Sequence, residues 1–387
     1  MNSDRKTIQM LVAAIGFVWC VAEMAAQRVG DSPQPVVGIT GLDLPKYRNT
    51  TSRSAYFLKS YTKWLEQHNI NWVPVNMYES DEELDIKLDS LSGLLLTGGG
   101  QPIHFSQSML FGVIKVESDY ASFVHVLVEK AKLINDKGRR FPVWATCLGF
   151  EGLIFSMSDR TIVTQEVINE NRSLPLKIID SPGVMRTIFA PEELEAIQNT
   201  PITFFHHKHA FVLEELEKHK KLMDEMEILA TAIVPPQEQP TPIAGDDEAQ
   251  EEGDEEGKKV AKKTVASKVE GTEVAAFIKF KKYPFVACSF HPEKVQFELN
   301  PANNVPRSEI AIIVNRKYGR LFRNFLAPEA TPVPPSDYDV MRKLLRSQSP
   351  LGPSSEAFVF LPDLKPKPLA KKTLWQRVSA HISEALG

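Results

Sequence analysis

The chain has 387 residues, of which 43% are hydrophobic and 24% are charged, and its formal net charge is −4. Such a length and composition are typical of one large folded domain with appendages, or of two domains. A net charge this close to neutral excludes the strongly basic class of nucleic-acid-binding proteins. We therefore expect a globular protein with a substantial hydrophobic core and no nucleic-acid partner.

The first residues have the pattern of a secretory signal peptide. Arg5 and Lys6 precede a short apolar run, and the small residues Ala25 and Ala26 follow it. The run is short for a membrane span, which needs about 20 apolar residues. We expect residues 1–26 to be cleaved, with an uncleaved anchor or a buried helix as the alternatives, and we expect no stable membrane span afterwards.

Cysteine usage agrees with a secreted protein that is not built on disulfides. The three cysteines, Cys20, Cys147 and Cys288, are too few for a disulfide framework, and Cys20 would leave with the signal peptide. An unpaired cysteine kept in a secreted protein favours a functional role. Glycosylation triplets begin at Asn49 and Asn171 and agree with the same route, although such triplets are common by chance.

The predicted elements alternate between strands and helices through the first half of the chain. Strands are predicted at residues 35–40, 71–75, 93–97 and 141–146, and helices at 53–68 and 117–135. This alternation predicts an α/β fold, a three-layer sandwich around a mostly parallel central sheet. The second half is richer in strands and closes with a helix. Its strands are predicted at 186–189, 202–205, 275–280 and 283–290, and its helix at 310–325.

We expect one catalytic domain over residues 34–327 with two additions. Residues 235–268 carry prolines, an acidic run and then lysines, which is the composition of a disordered insertion. The C-terminal extension over 328–387 is rich in Pro and Ser and ends in apolar residues at helical spacing over 369–386. That last segment is interpreted as a docking or membrane-surface helix, or as a short helix packed on its own domain.

Cys147 is the first candidate catalytic residue. It follows the apolar segment 141–146 and precedes a predicted helix, which is how a strand-turn-helix presents a nucleophile at the carboxyl edge of a sheet. The helix N-terminus and a nearby imidazole are expected to lower the pKa of its thiol. The alternative is a buried structural cysteine.

A candidate base and a candidate oxyanion site accompany this cysteine. In an extended segment His291 and Glu293 point the same way, so that the histidine can take the thiol proton and the carboxylate can fix its tautomer. The glycines at 98–100 end a neighbouring strand, where backbone N–H groups can approach an oxyanion together with that of Leu148. A solvated strand end and an ordinary glycine turn are the alternatives. No Cys/His pair has zinc-binding spacing, and we predict no metal.

Four segments, taken together and in order, make the chain resemble the gamma-glutamyl hydrolases. They are residues 56–61 (YFLKSY), 94–99 (LLLTGG), 141–151 (FPVWATCLGFE), and 283–286 with 291–294 (YPFV and HPEK). The resemblance runs from roughly residue 35 to residue 326. It implies the class I glutamine amidotransferase-like fold and the hydrolysis of gamma-linked glutamate from folylpoly-gamma-glutamates. It further implies a lysosomal, vacuolar or extracellular location, a small-molecule substrate and no cofactor, and it leaves a homodimer open.

The resemblance also implies a role for each candidate site residue. Cys147 would be the nucleophile, His291 the base, Glu293 its orienter, and Gly99 and Leu148 the oxyanion donors. Two further residues match family positions near the substrate, and ordinary core packing is the alternative for both. They are His207 and Tyr61.

The chain departs from the family pattern at a few positions. Ala145 stands where the family has glycine, Thr97 stands where it has proline, and His209 stands where it has tryptophan. A catalytically weak relative that acts as a binding protein therefore stays an alternative, although the Cys–His–Glu set is intact. The other alternative is a glutaminase that delivers ammonia to a synthetase, against which the predicted secretory leader argues.

Overall fold

The computed structural model describes residues 34–43, 55–109, 112–179, 183–236, 271–326, 345–348 and 357–360. Several predicted features fall outside these residues: the signal peptide, the Asn49 triplet, nearly all of the charged insertion and the helix over 369–386. Within the described residues, no helix is both long and apolar enough to span a membrane.

The strands and helices have the following bounds. The strands are β1 (Val36–Thr40), β2 (Leu42–Asp43), β3 (Ala55–Leu58), β4 (Asn71–Val75), β5 (Gly93–Leu96), β6 (His104–Met109), β7 (Gly112–Glu117), β8 (Val143–Thr146), β9 (Gln165–Leu174), β10 (Lys177–Ile178), β11 (Thr203–Ala210), β12 (Met226–Val234), β13 (Thr272–Phe280), β14 (Phe285–Cys288), β15 (Leu345–Gln348) and β16 (Ala357–Phe360). The helices are α1 (Lys59–Glu66), α2 (Asp81–Asp89), α3 (Asp119–Asp136), α4 (Leu148–Met157), α5 (Val184–Ile188), α6 (Pro191–Asn199), α7 (Leu213–Glu217), α8 (Lys220–Glu225), α9 (Lys294–Phe297) and α10 (Glu309–Phe325).

The central sheet has eight strands in the order β10-β12-β13-β14-β8-β5-β1-β4. The strands from β14 to β4 pair in parallel, whereas the pairs among β10, β12, β13 and β14 are antiparallel. The predicted α/β fold with a mostly parallel central sheet is confirmed.

Two hydrophobic cores lie on opposite faces of this sheet, because successive side chains of a strand point to opposite sides. In β5, Leu94 and Leu96 belong to one core and Leu95 to the other. Helices α3 and α4 pack on the first core, and α1 and α10 pack on the second. The parallel strands read as continuous apolar runs since both of their faces are buried.

For two segments the predicted type of secondary structure is wrong. The spacing over residues 53–68 predicts a single helix, but residues 55–58 form β3 and the helix begins at Lys59. The segment 186–189 has the pattern of a strand, but residues 184–188 are helical. There Met185 and Phe189 are both buried in one core, and their spacing of four residues is that of a helix face.

A second, smaller sheet has the order β15-β16-β3-β2. The C-terminal extension therefore supplies two strands that the sequence did not predict. The charged insertion joins β12 to β13, which are neighbours in the central sheet with Val234 opposite Thr272.

Candidate active site

Cys147 lies on a strained turn between β8 and α4. Its φ of 53° and ψ of −111° fall in a region that non-glycine residues rarely adopt, and such strain is retained where the surrounding structure enforces it. The N–H of Cys147 donates to the carbonyl of Cys288 at 2.9 Å, and its carbonyl accepts the N–H of Glu151 at 3.1 Å. A Cβ at Gly149 would lie 2.3 Å from the carbonyl oxygen of Leu96, so only glycine lets the turn approach β5 this closely.

His291 and Glu293 form a buried hydrogen-bonded pair. His291 Nδ1 lies 2.7 Å from a carboxylate oxygen of Glu293, and the two residues are 4% and 1% exposed. The pairing was expected from an extended backbone, and that reason is wrong. Glu293 has φ −69° and ψ −28°, so the chain turns after β14 and folds the carboxylate back onto the imidazole.

Gly98 is the point at which these groups meet. A Cβ at this position would lie 2.9 Å from Cys147 Cβ, 2.9 Å from His291 Cε1 and 2.8 Å from the hydroxyl of Tyr61. The N–H of Gly98 donates to that Tyr61 hydroxyl at 2.8 Å. The Gly98 N–H is thus engaged, which leaves Gly99 and Leu148 as the candidate oxyanion donors.

A cavity of about 710 Å³ opens over this junction. All the predicted site residues line it except Glu293, which lies behind His291. The lining ones are Tyr61, Gly99, Cys147, Leu148, His207 and His291. Within the described part of the chain, no group of His, Cys, Asp and Glu side chains could hold a metal ion.

Burial sets the protonation of the central pair. It raises the pKa of the Cys147 thiol to about 12, and the nearby carboxylate of Glu151 adds to the rise. Burial also lowers the pKa of His291, against the opposing influence of Glu293. The expected lowering of the thiol pKa is therefore wrong, and near neutral pH the site holds a thiol beside an uncharged imidazole.

The thiol and the imidazole are not yet hydrogen-bonded to each other. The thiol donates to the carbonyl of His206 at 3.8 Å, while Nε2 of His291 has no partner among the described residues. A rotation of the Cys147 side chain would turn the thiol proton from the carbonyl to the imidazole.

Glu151 and Lys294 are two of the ionisable cavity residues that received no role from the sequence. Glu151, one turn into α4, lines the cavity, and burial raises the pKa of its carboxyl to about 8. Lys294 also lines the cavity and is 7% exposed, and its ammonium has no ion pair among the residues that the structure describes. Both belong to recognisable motifs, but only the folded structure shows that they face the cavity.

Of the three neighbouring histidines, His207 is the buried one. It is 7% exposed, and neither ring nitrogen has a partner among the described residues. The pairing of β11 with β9 shifts register on both sides of His207. Such irregularities change the direction in which a side chain points. Burial lowers the pKa of His207 to about 3, so the ring is neutral and has two unused hydrogen-bonding nitrogens.

Asn169 stands directly opposite His207 in this strand pair, and no motif pointed to it. Its side chain is fully buried, and neither amide atom has a partner in the described structure. A buried polar group without a partner costs about 1–3 kcal/mol. Side chains directly opposite across an antiparallel pair lie on one face, and no direct hydrogen bond joins these two, so Asn169 is placed to orient the His207 ring through a water molecule.

We expect Asn169→Leu to raise KM for the substrate by about tenfold while the melting temperature stays unchanged or rises. The reason is that leucine removes an unpaired buried amide and, with it, the polar group that could hold a water molecule against the His207 ring. Thr203→Val is the matched control, because Thr203 is a buried unpaired hydroxyl on the same strand pair that does not line the cavity. Equal KM values for wild type and Asn169→Leu would contradict this role.

Two of the departures from the gamma-glutamyl hydrolase pattern, Ala145 and Thr97, are accommodated by the fold. Ala145 is fully buried in β8 and belongs to the core that α3 and α4 cover, so its methyl group is accommodated by packing. The hydroxyl of Thr97 donates to the carbonyl of Thr40 at 2.9 Å and ties the end of β5 to β1. Neither residue disturbs the contacts around Gly98.

The side chains of the second glycosylation triplet, Asn171 and Ser173, form hydrogen bonds within the fold. The Asn171 amide nitrogen donates to the carbonyl of Ala302 at 3.0 Å, and its oxygen accepts the N–H of Asn304 at 2.6 Å. The Ser173 hydroxyl donates to the Asn304 carbonyl at 3.1 Å. Glycosylation at Asn171 stays a prediction, and a glycan there would compete with these contacts.

Comparison with known proteins gives one family match and several relatives. Residues 35–165 match the Peptidase C26 family model. Gamma-glutamyl hydrolase 1 of Arabidopsis thaliana is 27% identical over 292 residues, covering 73% of this chain and 69% of that protein. Gamma-glutamyl hydrolase of Mus musculus is 26% identical over 277 residues, covering 71% of each.

Solved structures give weaker likenesses. A glutamine amido transferase from Methylobacillus Flagellatus is 12% identical, with a TM-score of 0.38, over 76% of this chain and 96% of that one. A putative GMP synthase protein from Thermoplasma acidophilum is 12% identical, with a TM-score of 0.36, over 79% and 98%. The sequence matches confirm the resemblance read from the motifs: residues 35–165, which include Cys147, match the Peptidase C26 model, and the chain is similar to gamma-glutamyl hydrolases over most of its length.

Proposed function

We propose that this protein is a cysteine hydrolase of gamma-glutamyl bonds and that its substrates are folylpoly-gamma-glutamates. The observation that carries the proposal is the meeting of Cys147, His291 and Tyr61 around Gly98, with Glu293 hydrogen-bonded behind the histidine. A nucleophile, a base and an orienting carboxylate are the parts that acyl transfer through a thioester requires. The relatives named gamma-glutamyl hydrolase support the choice of bond.

The reaction begins with a neutral pair. Cys147 Sγ attacks the γ-carbonyl carbon while its proton passes to Nε2 of His291, and the oxyanion accepts hydrogen bonds from the N–H groups of Gly99 and Leu148. Collapse of this intermediate breaks the C–N bond, and the imidazolium gives its proton to the leaving amine. Water then attacks the thioester, again through His291, which releases the γ-carboxylate and restores the thiol.

Lys294 and Glu151 suit a substrate that carries α-carboxylates. The ammonium of Lys294, which lines the cavity and has no ion pair among the described residues, can neutralise one of them. Glu151 stays protonated below a pH of about 8 and can then donate a hydrogen bond to a carboxylate. Below that pH both residues favour binding of an anionic substrate.

We expect KM to rise as the pH passes through about 8, because the Glu151 carboxyl then loses its proton and repels the substrate. Glu151→Gln keeps a hydrogen-bond donor that does not titrate, so this step in the KM profile should vanish. Glu170→Gln is the control: Glu170 also lines the cavity but is partly exposed beside Lys208, and the step should persist in that variant. A step at pH 8 that survives in Glu151→Gln would refute the assignment.

The direct test of the function compares two substrates. Purified protein is incubated with folate polyglutamates and, separately, with free glutamine, and released glutamate and ammonia are measured. We expect glutamate from the first substrate and only slow ammonia release from the second. Ammonia from glutamine with no cleavage of the polyglutamate would favour the glutaminase alternative, and inactivity on both would favour a binding protein.

We also propose that the protein enters the secretory pathway and acts in the lysosome or vacuole or outside the cell. The support is the leader pattern of residues 1–26. Amino-terminal sequencing of protein recovered from the culture medium tests it, since cleavage should leave a new terminus near Ala26.

A further inference from the structure

The C-terminal extension pairs with a strand at the wall of the cavity. In β16, Ala357 lies opposite Leu58 and Phe360 lies opposite Ala55, so that the whole of β3 is matched. On its other side β3 pairs with β2 at only two positions, Leu42 with Tyr56 and Asp43 with Ala55. The strand pair β15–β16 is therefore the main neighbour of β3 in this sheet.

This small sheet borders the candidate active site. Leu42, Tyr56 and Leu58, from β2 and β3, all line the cavity. A Cβ at Gly99 would lie 2.1 Å from Leu42 Cδ1, so Leu42 packs directly against the candidate oxyanion glycine. β3 also runs without a break into α1, whose Tyr61 accepts the N–H of Gly98.

β3 depends on a partner for energetic reasons. Ala55 and Phe57 are each 1% exposed, and Ala357 in the opposing strand is fully buried. Backbone N–H and C=O groups that are buried without a partner are costly, and a two-residue pairing with β2 is too short to hold a strand in place. If β16 were removed, the apolar strand β3 would in addition become an exposed sheet edge that is prone to aggregation.

We propose that the C-terminal strands brace the β2–β3 wall of the active site: by pairing with β3, β16 holds Leu42 against Gly99 and Tyr61 against Gly98. This inference rests on the proposed function for its catalytic consequence, but the strand pairing itself does not. The occupant of the β3 edge is residues 357–360 of the same chain, and loss of the pairing would loosen the oxyanion glycines and widen the cavity.

Engineered cysteines test the pairing without any activity measurement. In the full chain with Cys147→Ala, Leu58→Cys combined with Ala357→Cys should form a disulfide under mild oxidation, because the two positions are register partners. Tyr56→Cys with Ala357→Cys is the control, since these positions are two residues out of register and beyond the reach of about 7 Å for a disulfide. Faster migration on a non-reducing gel reports the bond. No disulfide in the first pair, or equal yields in both, would overturn the pairing.

A proline variant tests the catalytic consequence. Val359→Pro removes a backbone donor and bends β16, which lies between two strands. We expect kcat/KM on a gamma-linked substrate to fall at least roughly tenfold, whereas Ser347→Pro in the edge strand β15 should change it less than about threefold. A wild-type kcat/KM in the Val359→Pro variant would overturn the proposal.

The two experiments separate the possible failures. If the wild-type protein cleaves no gamma-glutamyl substrate, the proposed function fails while the disulfide result still decides the pairing. If Val359→Pro unfolds, as judged by its melting curve, the disulfide-linked protein with Cys147 intact replaces it. Its kcat/KM with the disulfide formed should equal that of the same variant in the reduced form, and a loss of activity on linking would overturn the proposal.

Discussion

Cys147→Ala is expected to reduce glutamate release from a gamma-linked substrate by a factor on the order of 10⁴ or more. Cys288, the other cysteine among the described residues, cannot take over, because it is fully buried and its thiol donates to the Phe290 carbonyl at 3.3 Å. Alanine tolerates the φ of 53° about as well as cysteine does, so the melting temperature should stay close to that of the wild type. The rate of glutamate release and the melting curve are measured on the same preparation.

Cys288→Ala is the matched control for this variant. It removes a buried thiol three residues before His291 but no reacting group, and we expect activity within about threefold of wild type, with a modest loss of stability from the small cavity. Two results would refute the assignment of the nucleophile: undiminished hydrolysis by Cys147→Ala, or an equal loss of activity in both variants.

The burial of Cys147 decides in which form it would act as the proposed nucleophile. A helix N-terminus contributes roughly 0.3–1 kcal/mol to an anion, whereas moving a charge out of water costs several kcal/mol. Cys147 is 5% exposed, so the second quantity decides the pKa of the thiol. The sequence shows the helix but not the depth of burial, and for that reason the expected lowering of the pKa has the wrong sign. In the proposed mechanism, proton transfer to His291 during the attack takes the place of a preformed thiolate.

The parts of the fold that could be predicted are those with a strong local pattern. The apolar runs of β5 and β8 and the amphipathic helices α3 and α10 appear close to their predicted positions, because burial on both faces of a strand or on one face of a helix leaves a clear signature. β3 has no such signature. Its residues fit a helical spacing as well as a strand, and the deciding partner, β16, lies about 300 residues further along the chain.

The candidate site divides in the same way. Cys147, His291 and Glu293 could be proposed from the sequence because they stand in short motifs whose residue types indicate their chemistry. Glu151 and Asn169 were not, since a glutamate in a helix or an asparagine in a strand is ordinary until the fold buries it. Burial, opposing strands and the direction of a side chain depend on contacts between distant segments, which a single sequence does not display.

The second large effect is expected for Glu293→Gln, which should lower kcat by roughly 10³-fold. Glutamine has nearly the same shape, so the buried site stays filled, but it carries no charge to stabilise the imidazolium that forms when His291 takes the thiol proton. It can also present its NH₂ group to Nδ1, which would favour the wrong tautomer of the ring. The measurement is kcat across a pH series.

The pH profile distinguishes this role from a purely structural one. The proposed mechanism needs neutral His291, so activity should fall as the pH drops below the pKa of that group. Burial lowers this pKa and Glu293 raises it, so that loss of the Glu293 charge must lower it further and move the acid limb of kcat/KM to lower pH. Glu298→Gln removes a weaker charge that acts on His291 in the same direction, without a hydrogen bond to the ring. It should therefore shift the limb slightly and leave kcat near the wild-type value. An acid limb that does not move in Glu293→Gln would mean that Glu293 holds the loop after β14 in place and does not act on the charge of His291.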